Sequence, residues 1–249
     1  LSFFAGLAGS GEYGTYLLWR NATPFNQVDS QFGLDLAFYT FELPFLRFVL
    51  GFAFTLIILA LMIITSVQYL YGGLRLQPKG DRATRAAQVQ LSALFAILLL
   101  LKALAYYLDR FGLVTKSESL VSGFTGLTYA DVNAVLPALN ILVFVAILVA
   151  VLFIFNIFRR QCVIPSIGLG LLILTSVVIG GLYPAIVQQF QVRPSELVRE
   201  EPYIQRNIDA TRDAYGISEA EVVDYEGSVS PPTAETLQAS AGTLSNIRL

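Results

Sequence analysis

The stretch PALNILVFVAILVAVLFIFNIF, residues 137–158, contains 22 successive residues without a charge. A helix rises about 1.5 Å per residue, so a run of this length can cross the roughly 30 Å hydrocarbon core of a bilayer. Backbone amides in hydrocarbon must be paired within their own segment, which favours a helix over a strand. Two comparable runs precede this stretch and one follows it. The four predicted spans are therefore 44–71, 86–107, 137–158 and 163–190.

The composition also favours a membrane protein. Hydrophobic residues make up 55% of the 249 residues and charged residues only 14%, whereas soluble domains carry about 25% charged residues. We therefore predict an all-α fold, namely a polytopic α-helical membrane protein with four complete transmembrane helices. Residues 1–8 are apolar but too short to cross a bilayer, and we interpret them as the end of another membrane helix.

The chain divides into three predicted regions. Residues 1–43 comprise the end of a membrane helix and an outer interfacial segment, and residues 44–190 comprise the four-helix transmembrane region. Residues 191–249 are polar and are predicted to lead into a larger outer domain. Within them a short helix is expected to begin at Glu201-Pro202 and to stop at Gly216, because glycine is a common helix terminator.

The loop charges predict the orientation of the spans. The loop 72–85 holds four basic residues and one acid, and the turn after the third span holds Arg159 and Arg160 and no acid. The stretches 12–42 and 108–136 hold more acids than bases. Since short cytoplasmic loops are rich in lysine and arginine, both basic loops are expected in the cytoplasm and the C-terminal tail on the extracytoplasmic side.

A weak internal repeat accompanies these spans. Leu43-Pro44 opens the first span and Leu136-Pro137 opens the third, and proline is well suited to the first turn of a helix because its missing N–H would be unpaired there. Two interpretations stand beside each other: a repeat of two helical hairpins in parallel orientation, or chance recurrence of a common helix start.

The residue types that most chemistry requires are scarce. The chain has no histidine and a single cysteine, Cys162, and the spans contain no paired carboxylates, so we predict no catalytic site, no metal site and no cofactor in this part of the protein. The net charge of −2, without a basic stripe, argues against a nucleic-acid partner. Catalysis in an outer domain is left open.

Three polar residues inside the spans are candidate membrane-embedded polar or lipid contacts: Arg47, Lys102 and Asn140. Arg47 and Lys102 lie near the outer ends of their spans, where a long cationic side chain can reach the interface. They could line an outward-facing pocket for an anionic group such as a lipid phosphate. Alternatively, Arg47 could pair with Glu42 or an outer-loop acid, and Lys102 with Asp109 or a headgroup. Asn140, like Asn156, could bridge helices by a hydrogen bond or bind a ligand.

The fourth span carries four glycines, Gly168, Gly170, Gly180 and Gly181. Small residues allow helices to approach closely, so we expect packing against a neighbouring helix or subunit. The same residue types also occur in the interrupted helices of transporters.

Several long segments carry a resemblance to a known family. They are residues 20–51 (RNATPFNQVDSQFGLDLAFYTFELPFLRFVLG), 69–77 (YLYGGLRLQ), 102–114 (KALAYYLDRFGLV), 129–138 (YADVNAVLPA), 164–174 (IPSIGLGLLIL), 180–194 (GGLYPAIVQQFQVRP), 202–216 (PYIQRNIDATRDAYG) and 244–249 (LSNIRL). Together they resemble the uncharacterised UPF0182 family of large, mainly actinobacterial membrane proteins. The resemblance implies a multi-pass protein of the bacterial plasma membrane with a large extracytoplasmic domain, and it implies no catalytic residues.

Two functional hypotheses follow. In the first, the helices are the anchor or scaffold of a larger cell-envelope protein, in contact with the lipid bilayer and assembled as a homo-oligomer or with other membrane or envelope proteins. In the second, they form a transporter or lipid-handling subunit, which requires a water- or lipid-filled cavity reaching Arg47, Lys102 or Asn140. Helices with so few polar residues near the midplane form a poor ion pathway, which favours the first hypothesis.

Overall fold

The computed structural model describes residue 6 and residues 9–74, 84–117, 125–159, 163–220, 233–239 and 241–245. Its residues fall into two compact units, Leu1–Ala210 and Thr211–Leu249. The helices are α1 (Tyr13–Arg20), α2 (Leu43–Leu70), α3 (Arg85–Gly112), α4 (Leu136–Arg159), α5 (Val163–Val177), α6 (Tyr183–Ile186), α7 (Glu196–Ala214), α8 (Ala234–Ala239) and α9 (Ala241–Ser245). Four π-helical turns, π1 to π4, lie at Phe38–Glu42, Asp131–Val135, Val178–Leu182 and Val187–Val192.

Within the described ranges, four continuous helices are long and apolar enough to cross a membrane, judged by length and composition: Phe38–Leu70, Arg85–Gly112, Asp131–Arg159 and Ser166–Ala214. The all-α fold and the four predicted spans are therefore confirmed. Most of the basic residues of the loop 72–85, together with Arg160 and Cys162, lie outside the described residues, as does nearly all of segment 1–8. The orientation of the spans and the end of a further helix stay predictions.

Prolines explain where the π-turns occur. Each π-turn ends two residues before a proline, namely Pro44, Pro137, Pro184 and Pro194. A proline inside a helix removes one hydrogen bond, and its ring collides with the carbonyl group four residues earlier. In all four cases that carbonyl lies within the π-turn, where the wider helical path gives the ring room. The helices therefore continue through these prolines instead of starting at them.

The first and third spans begin alike. Phe38–Glu42 and Asp131–Val135 start 93 residues apart, as do Pro44 and Pro137. At equivalent positions, the Thr40 hydroxyl donates to the Leu36 carbonyl (3.1 Å) and the Asn133 amide donates to the Tyr129 carbonyl (3.0 Å). This shared local structure is the pattern that a repeated hairpin predicts.

Neighbouring spans pack side by side, and the tightest pair is α3 with α4. Their shared core contains small residues that bring the helices close, including Ala96, Ala103, Ala146 and Ala150. Toward the end away from the π-turns, the Asn156 amide donates to the Ser92 hydroxyl at 2.8 Å within this interface. Asn156 therefore bridges two helices, which is one of the two roles that the sequence allowed.

Residues 25–37 fold over the π-turn end of α2 and α3. Phe32 and Phe38 meet the ring of Phe111 edge-on, with ring centroids 5.1 and 5.2 Å away. Tyr39 and Leu43 are buried in the same cluster. The aromatic residues of this segment thus pack on protein, which fixes the segment to the helix ends.

The fourth span continues far beyond its apolar part. Helix Ser166–Ala214 is 49 residues long, and α7 begins at Glu196 with Pro202 inside it. The prediction of a separate short helix starting at Glu201 was wrong, because the chain remains helical from the span into the polar segment. The predicted stop is correct: Gly216 has a positive φ of 65°, and the Ile217 N–H bonds to the Arg212 carbonyl at 2.9 Å.

Candidate functional site

The polar side chains concentrate at the end of the spans where the π-turns lie. Here residues 25–37, 113–117, 125–135 and 193–210 pack around the helix ends, and we call these residues the collar. Several polar contacts join its parts, among them Arg206 to Gln31 (3.3 Å), Asn207 to the Thr125 carbonyl (2.7 Å), and Asn133 to Tyr203 (3.4 Å). The collar is on the side predicted to be extracytoplasmic.

Arg47 reaches from α2 across to α3. Its Nη2 lies 3.5 Å from Asp109 Oδ1, and both side chains are about half exposed, at 47% and 49%. The guanidinium also occupies the space above Gly112, where any added Cβ would collide with it. Of the two partners that the sequence suggested, Glu42 or an outer-loop acid, the one observed is the outer-loop acid Asp109. A half-exposed pair with one long contact contributes little to stability.

Lys102 extends its ammonium group over the ring of Tyr106, with Nζ 4.3 Å from the ring centroid. Side chains on a helix normally tilt toward its N-terminus, so Lys102 runs against this tilt and toward the collar. The Tyr106 ring is held by its hydroxyl, which lies 3.2 Å from the Ser176 hydroxyl of α5. Asp109, suggested by the sequence as a partner of Lys102, contacts Arg47 instead.

Asn140 is exposed on α4, and the structure shows no hydrogen bond from its side chain to the described residues. No hydrogen bond among the described residues therefore links Asn140 to Arg47 or Lys102. Its proposed role as a polar or lipid contact stays a prediction.

The glycines of the fourth span divide into two pairs. A Cβ at Gly168 would lie 3.2 Å from Leu152 Cδ1, and one at Gly180 would lie 3.1 Å from Leu142 Cδ1, both on α4. Around Gly170 and Gly181 nothing among the described residues lies within 4 Å of such an atom. One pair thus sits against α4, while the other faces away from the described helices.

Arg110 is a residue that sequence reasoning counted only as a loop charge. Its guanidinium carbon lies 5.2 Å from the Tyr107 ring centroid and 5.8 Å from those of Phe32 and Phe111. Its Nε is buried and has no hydrogen-bond partner among the described residues. Stacking of this kind fastens residues 25–37 to the end of α3. The local signal was Tyr107 and Phe111 close to Arg110 in the sequence, whereas Phe32 is far away in the sequence and gave none.

Asp131 is the most buried charge of the collar. Its carboxylate accepts hydrogen bonds from Lys116 Nζ (3.1 Å) and from the Thr128 hydroxyl (2.9 Å) and N–H (3.1 Å), and its side chain is only 2% exposed. Thr128 in turn accepts from the Asp131 N–H at 3.3 Å, which completes a reciprocal cap at the start of the third span.

Helix α7 is attached to the same segment. Glu200 accepts the Tyr129 N–H at 2.9 Å, near the start of the third span, where a negative charge is favoured by the helix dipole. Arg199 donates to the Tyr129 hydroxyl at 2.7 Å and stacks on its ring at 4.9 Å from the centroid. Tyr203 meets the same ring edge-on at 6.4 Å. These residues form one face of α7 that clamps Tyr129.

Asp29 organises the loop over α3. Its carboxylate accepts the N–H groups of Gln31 (2.7 Å), Phe32 (2.9 Å) and Leu34 (3.2 Å) and the hydroxyl of Tyr39 (2.7 Å). Burial by itself raises the pKa of the Asp29 carboxyl, but the four hydrogen bonds outweigh it and leave the pKa below its ordinary value.

The lowered pKa makes the stability of the collar depend on pH. A carboxyl whose pKa is lower in the folded protein stabilises the fold above its unfolded pKa, and this contribution is lost as pH falls through the folded value. The thermal unfolding midpoint of the protein should therefore decrease as the pH falls below about 4, the ordinary range of an aspartate pKa. We expect Asp29→Asn to be destabilised at neutral pH and to show a flatter loss in acid. Asp209→Asn, at an exposed site of α7, should follow the unmodified protein, and equal profiles for all three would contradict the assignment.

The comparisons with known proteins agree with one another. A profile of the uncharacterised protein family UPF0182 matches residues 1–249. A UPF0182 protein of Frankia casuarinae is 53% identical over 245 residues, which is 98% of this chain and 24% of the relative. UPF0182 proteins of Thermobifida fusca and Streptomyces coelicolor are 48% and 45% identical over the whole chain, and over 24% and 25% of their own lengths. The chain thus spans about a quarter of these relatives. No solved structure matches it.

Proposed function

From the premise that the chain belongs to the UPF0182 family, we propose that it is the membrane anchor of a larger cell-envelope protein. Its spans would lie in the plasma membrane, with the collar and the C-terminal tail on the extracytoplasmic side. The proposal assigns no catalysis and no cofactor to these helices, and it gives the lipid bilayer as their first partner.

One observation carries the proposal. The fourth span and α7 form a single helix of 49 residues, Ser166–Ala214, so the chain leaves the apolar part of the span as a continuous helix instead of a loop. A helix of that length measures about 74 Å at 1.5 Å per residue, more than twice the roughly 30 Å hydrocarbon core. The excess length passes through the collar.

The contacts of α7 support a fixed connection. Arg199, Glu200 and Tyr203 all contact Tyr129. Asn207 contacts Thr125 of the same collar segment, and Arg206 contacts Gln31 of the segment 25–37. An isolated polar helix would not stay ordered in water from its own propensity. Its docking on two collar segments therefore suits a fixed connection between the fourth span and the collar.

The outer spans suit contact with lipid or with further membrane helices. In their apolar windows only 6% of the residues of Phe38–Leu70 and 11% of those of Ser166–Ala214 are buried, compared with 33% in each of the other two spans. Large apolar surfaces therefore remain on both flanks. Besides lipid, we propose that further copies of the protein or other envelope proteins cover part of these flanks.

Engineered protease sites test the anchor directly. The full-length protein receives a cleavage sequence after Ala220, and a matched variant receives it after Gly73. In intact cells stripped of their wall, protease should cut only at Ala220 and release the downstream part into the supernatant. The Gly73 site should become accessible only when the membrane is opened.

Two outcomes would contradict the anchor. Cleavage at Gly73 but not at Ala220 in intact cells would place the tail in the cytoplasm. A downstream part that stays with the membrane after complete cleavage at Ala220 would show that these spans are not what retains it. Both variants must first be present in the membrane fraction at the level of the unmodified protein.

A lipid-handling subunit is the second candidate. It is favoured by two cations inside the spans, the half-exposed Arg47 and the partly exposed Lys102. They lie nine residues after the start of Phe38–Leu70 and ten before the end of Arg85–Gly112, so both are in the collar-side half of their spans. This position suits contact with headgroups better than transport across the membrane.

A further inference from the structure

The described residues dock the helix Ser166–Ala214 along one side. In its apolar part, Gly168 and Gly180 lie against leucine side chains of α4. In α7, Arg199 donates to the hydroxyl of Tyr129, which lies just before the same span. The docked side therefore faces the third span and its start, and we call the opposite side of the helix the free side.

Within the apolar part of the helix, the free side is open to lipid or to a further helix. No described atom lies within 4 Å of a Cβ added at Gly170 or Gly181, and Val177 between them is 63% exposed. Lipid chains can cover such a surface, and a second helix can do so as well, because small residues allow close approach. The membrane part alone does not select between the two.

The free side continues beyond the membrane as an apolar stripe on α7. Leu197, Ile204 and Ile208 are 84%, 40% and 43% exposed, and their spacing of seven and four residues places them on one face of the helix. At about 100° per residue, this face lies about 130° around the axis from the residues that clamp Tyr129.

Lipid cannot cover the far end of this stripe. Ile204 comes fourteen residues after Phe190, the predicted end of the fourth span, which is about 21 Å along a helix, whereas each headgroup layer is only about 5–8 Å thick. Ile204 and Ile208 therefore lie in water, where two exposed isoleucines on one face favour burial against a partner.

We propose that the free side binds the same helix of a second copy in a parallel dimer, an inference that rests on the proposed placement of the fourth span in the membrane. The side runs from Gly170 to Ile208, which needs a partner helix of 39 residues, counted inclusively. Among the described spans only Ser166–Ala214, with 49 residues, is that long, since the others have 28 to 33. Two copies in one membrane share one orientation, so their helices run parallel and equivalent residues meet across a two-fold axis.

The stripe on α7 has the spacing of a parallel coiled coil. Leu197, Glu201, Ile204 and Ile208 follow one another at intervals of four, three and four residues, the pattern of alternating a and d positions. Glu201 is the charged member of this pattern and is exposed. A polar residue at such a position sets the register at a cost in stability, so Glu201→Leu should strengthen the dimer.

Disulfide cross-linking of the full-length protein in native membranes tests the dimer, in a background where Cys162→Ser removes the native thiol. Under a mild oxidant, Ile204→Cys and Ile208→Cys should each form a covalent dimer about tenfold faster than Asp209→Cys, because only cysteines with Cα atoms within about 7 Å can be joined. Asp209 is the matched control, since it is exposed and adjacent to Ile208 but points to another side of α7. Glu201→Leu should accelerate the cross-link at Ile208→Cys, and Gly170→Leu should slow it.

Three results would overturn the dimer. The first is equal cross-linking at Ile208→Cys and Asp209→Cys. The second is slow labelling of Ile208→Cys by a soluble maleimide without any dimer, because another part of the polypeptide would then cover the stripe. The third is an unchanged cross-linking rate in Gly170→Leu, because one partner would then not cover both parts of the free side.

The protease site after Ala220 separates a failure of the dimer from a failure of the anchor. Release of the downstream part from a protein that forms no cross-link contradicts the dimer and leaves the anchor standing. Retention of the downstream part by a protein that does cross-link at Ile208→Cys contradicts the anchor alone.

Discussion

Gly168→Leu is expected to force α5 away from α4 and to lower the free energy of unfolding by about 3 kcal/mol. The first atom of the new side chain would already lie 3.2 Å from Leu152 Cδ1 and 3.3 Å from Val149 Cγ1, and Val149 is completely buried. The remaining three carbon atoms of leucine find no space without moving a helix. Unfolding of the purified full-length protein by increasing fractions of dodecyl sulfate measures the loss.

Gly170→Leu is the matched control, because it lies two residues away on the same helix with no described atom within 4 Å of a new Cβ. Its effect on unfolding should stay within about 0.5 kcal/mol. A loss as large as that of Gly168→Leu would show that α5 faces its neighbour differently. A change in native size without a change in unfolding would instead show that the Gly170 face binds another subunit, which the proposed assembly allows.

Asp131→Ala should cost about 3 kcal/mol, the second large effect. The substitution removes the acceptor for Lys116 and for both groups of Thr128, and a hydrogen bond to a charged group contributes about 1.5–3 kcal/mol. Part of the loss is recovered because Lys116 is 44% exposed and can turn to water. The start of the third span should fray, and hydrogen exchange of residues 128–135 should accelerate.

Asp109→Ala provides the contrast for this second prediction. Asp109 also pairs with a cation, but both partners are about half exposed, and exposed pairs contribute between 0 and about 1 kcal/mol. If Asp109→Ala destabilises the protein as much as Asp131→Ala, burial does not distinguish the two pairs. The buried contacts of Asp131 would then contribute no more to stability than the exposed pair of Asp109 does.

The spans themselves could be predicted because hydrocarbon imposes a length and an apolar composition that are visible in a single sequence. Asp131 shows where such reasoning ends. It was counted as an acid of an outer loop, yet it is buried inside a helical turn, because Lys116 and Thr128 satisfy it. A partner fifteen residues away in an irregular segment leaves no periodic trace.

The candidate polar contacts stay predictions, and the sequence left the partners of the two cations open. It suggested Glu42 or an outer-loop acid for Arg47, and Asp109 or a headgroup for Lys102. The packing of α2 on α3 brings Arg47 to the outer-loop acid Asp109 and leaves Lys102 on an aromatic ring. Helix-to-helix contacts depend on rotation about the helix axis, and rotation cannot be read from hydropathy when all faces are apolar. The division of the four glycines into two pairs was hidden for the same reason.

Pro202 misled the prediction of α7 in an instructive way. A proline commonly marks the first turn of a helix, so the helix was expected to start there. The helix instead enters from the fourth span and passes over Pro202, since the clamps at Tyr129 and Thr125 hold its flanks on the collar. Tertiary contacts thus outweigh a local signal.

The four π-turns make the effect of deleting a single residue depend on where in the span the residue lies. Each wide turn holds one residue more than a regular helix would use over the same distance. An in-frame deletion of one codon within 39–42 would turn the wide turn into a regular one and leave the residues before it nearly in place, but the ring of Pro44 would then collide with the carbonyl group four residues earlier. The same deletion in a regular part of the span would instead rotate everything before it by about 100° around the axis. We therefore expect a deletion within the π-turn to cost about 3 kcal/mol, as a proline inside a helix does, and a deletion in the regular helix between Pro44 and Leu70 to break the packing of the first span on its neighbour.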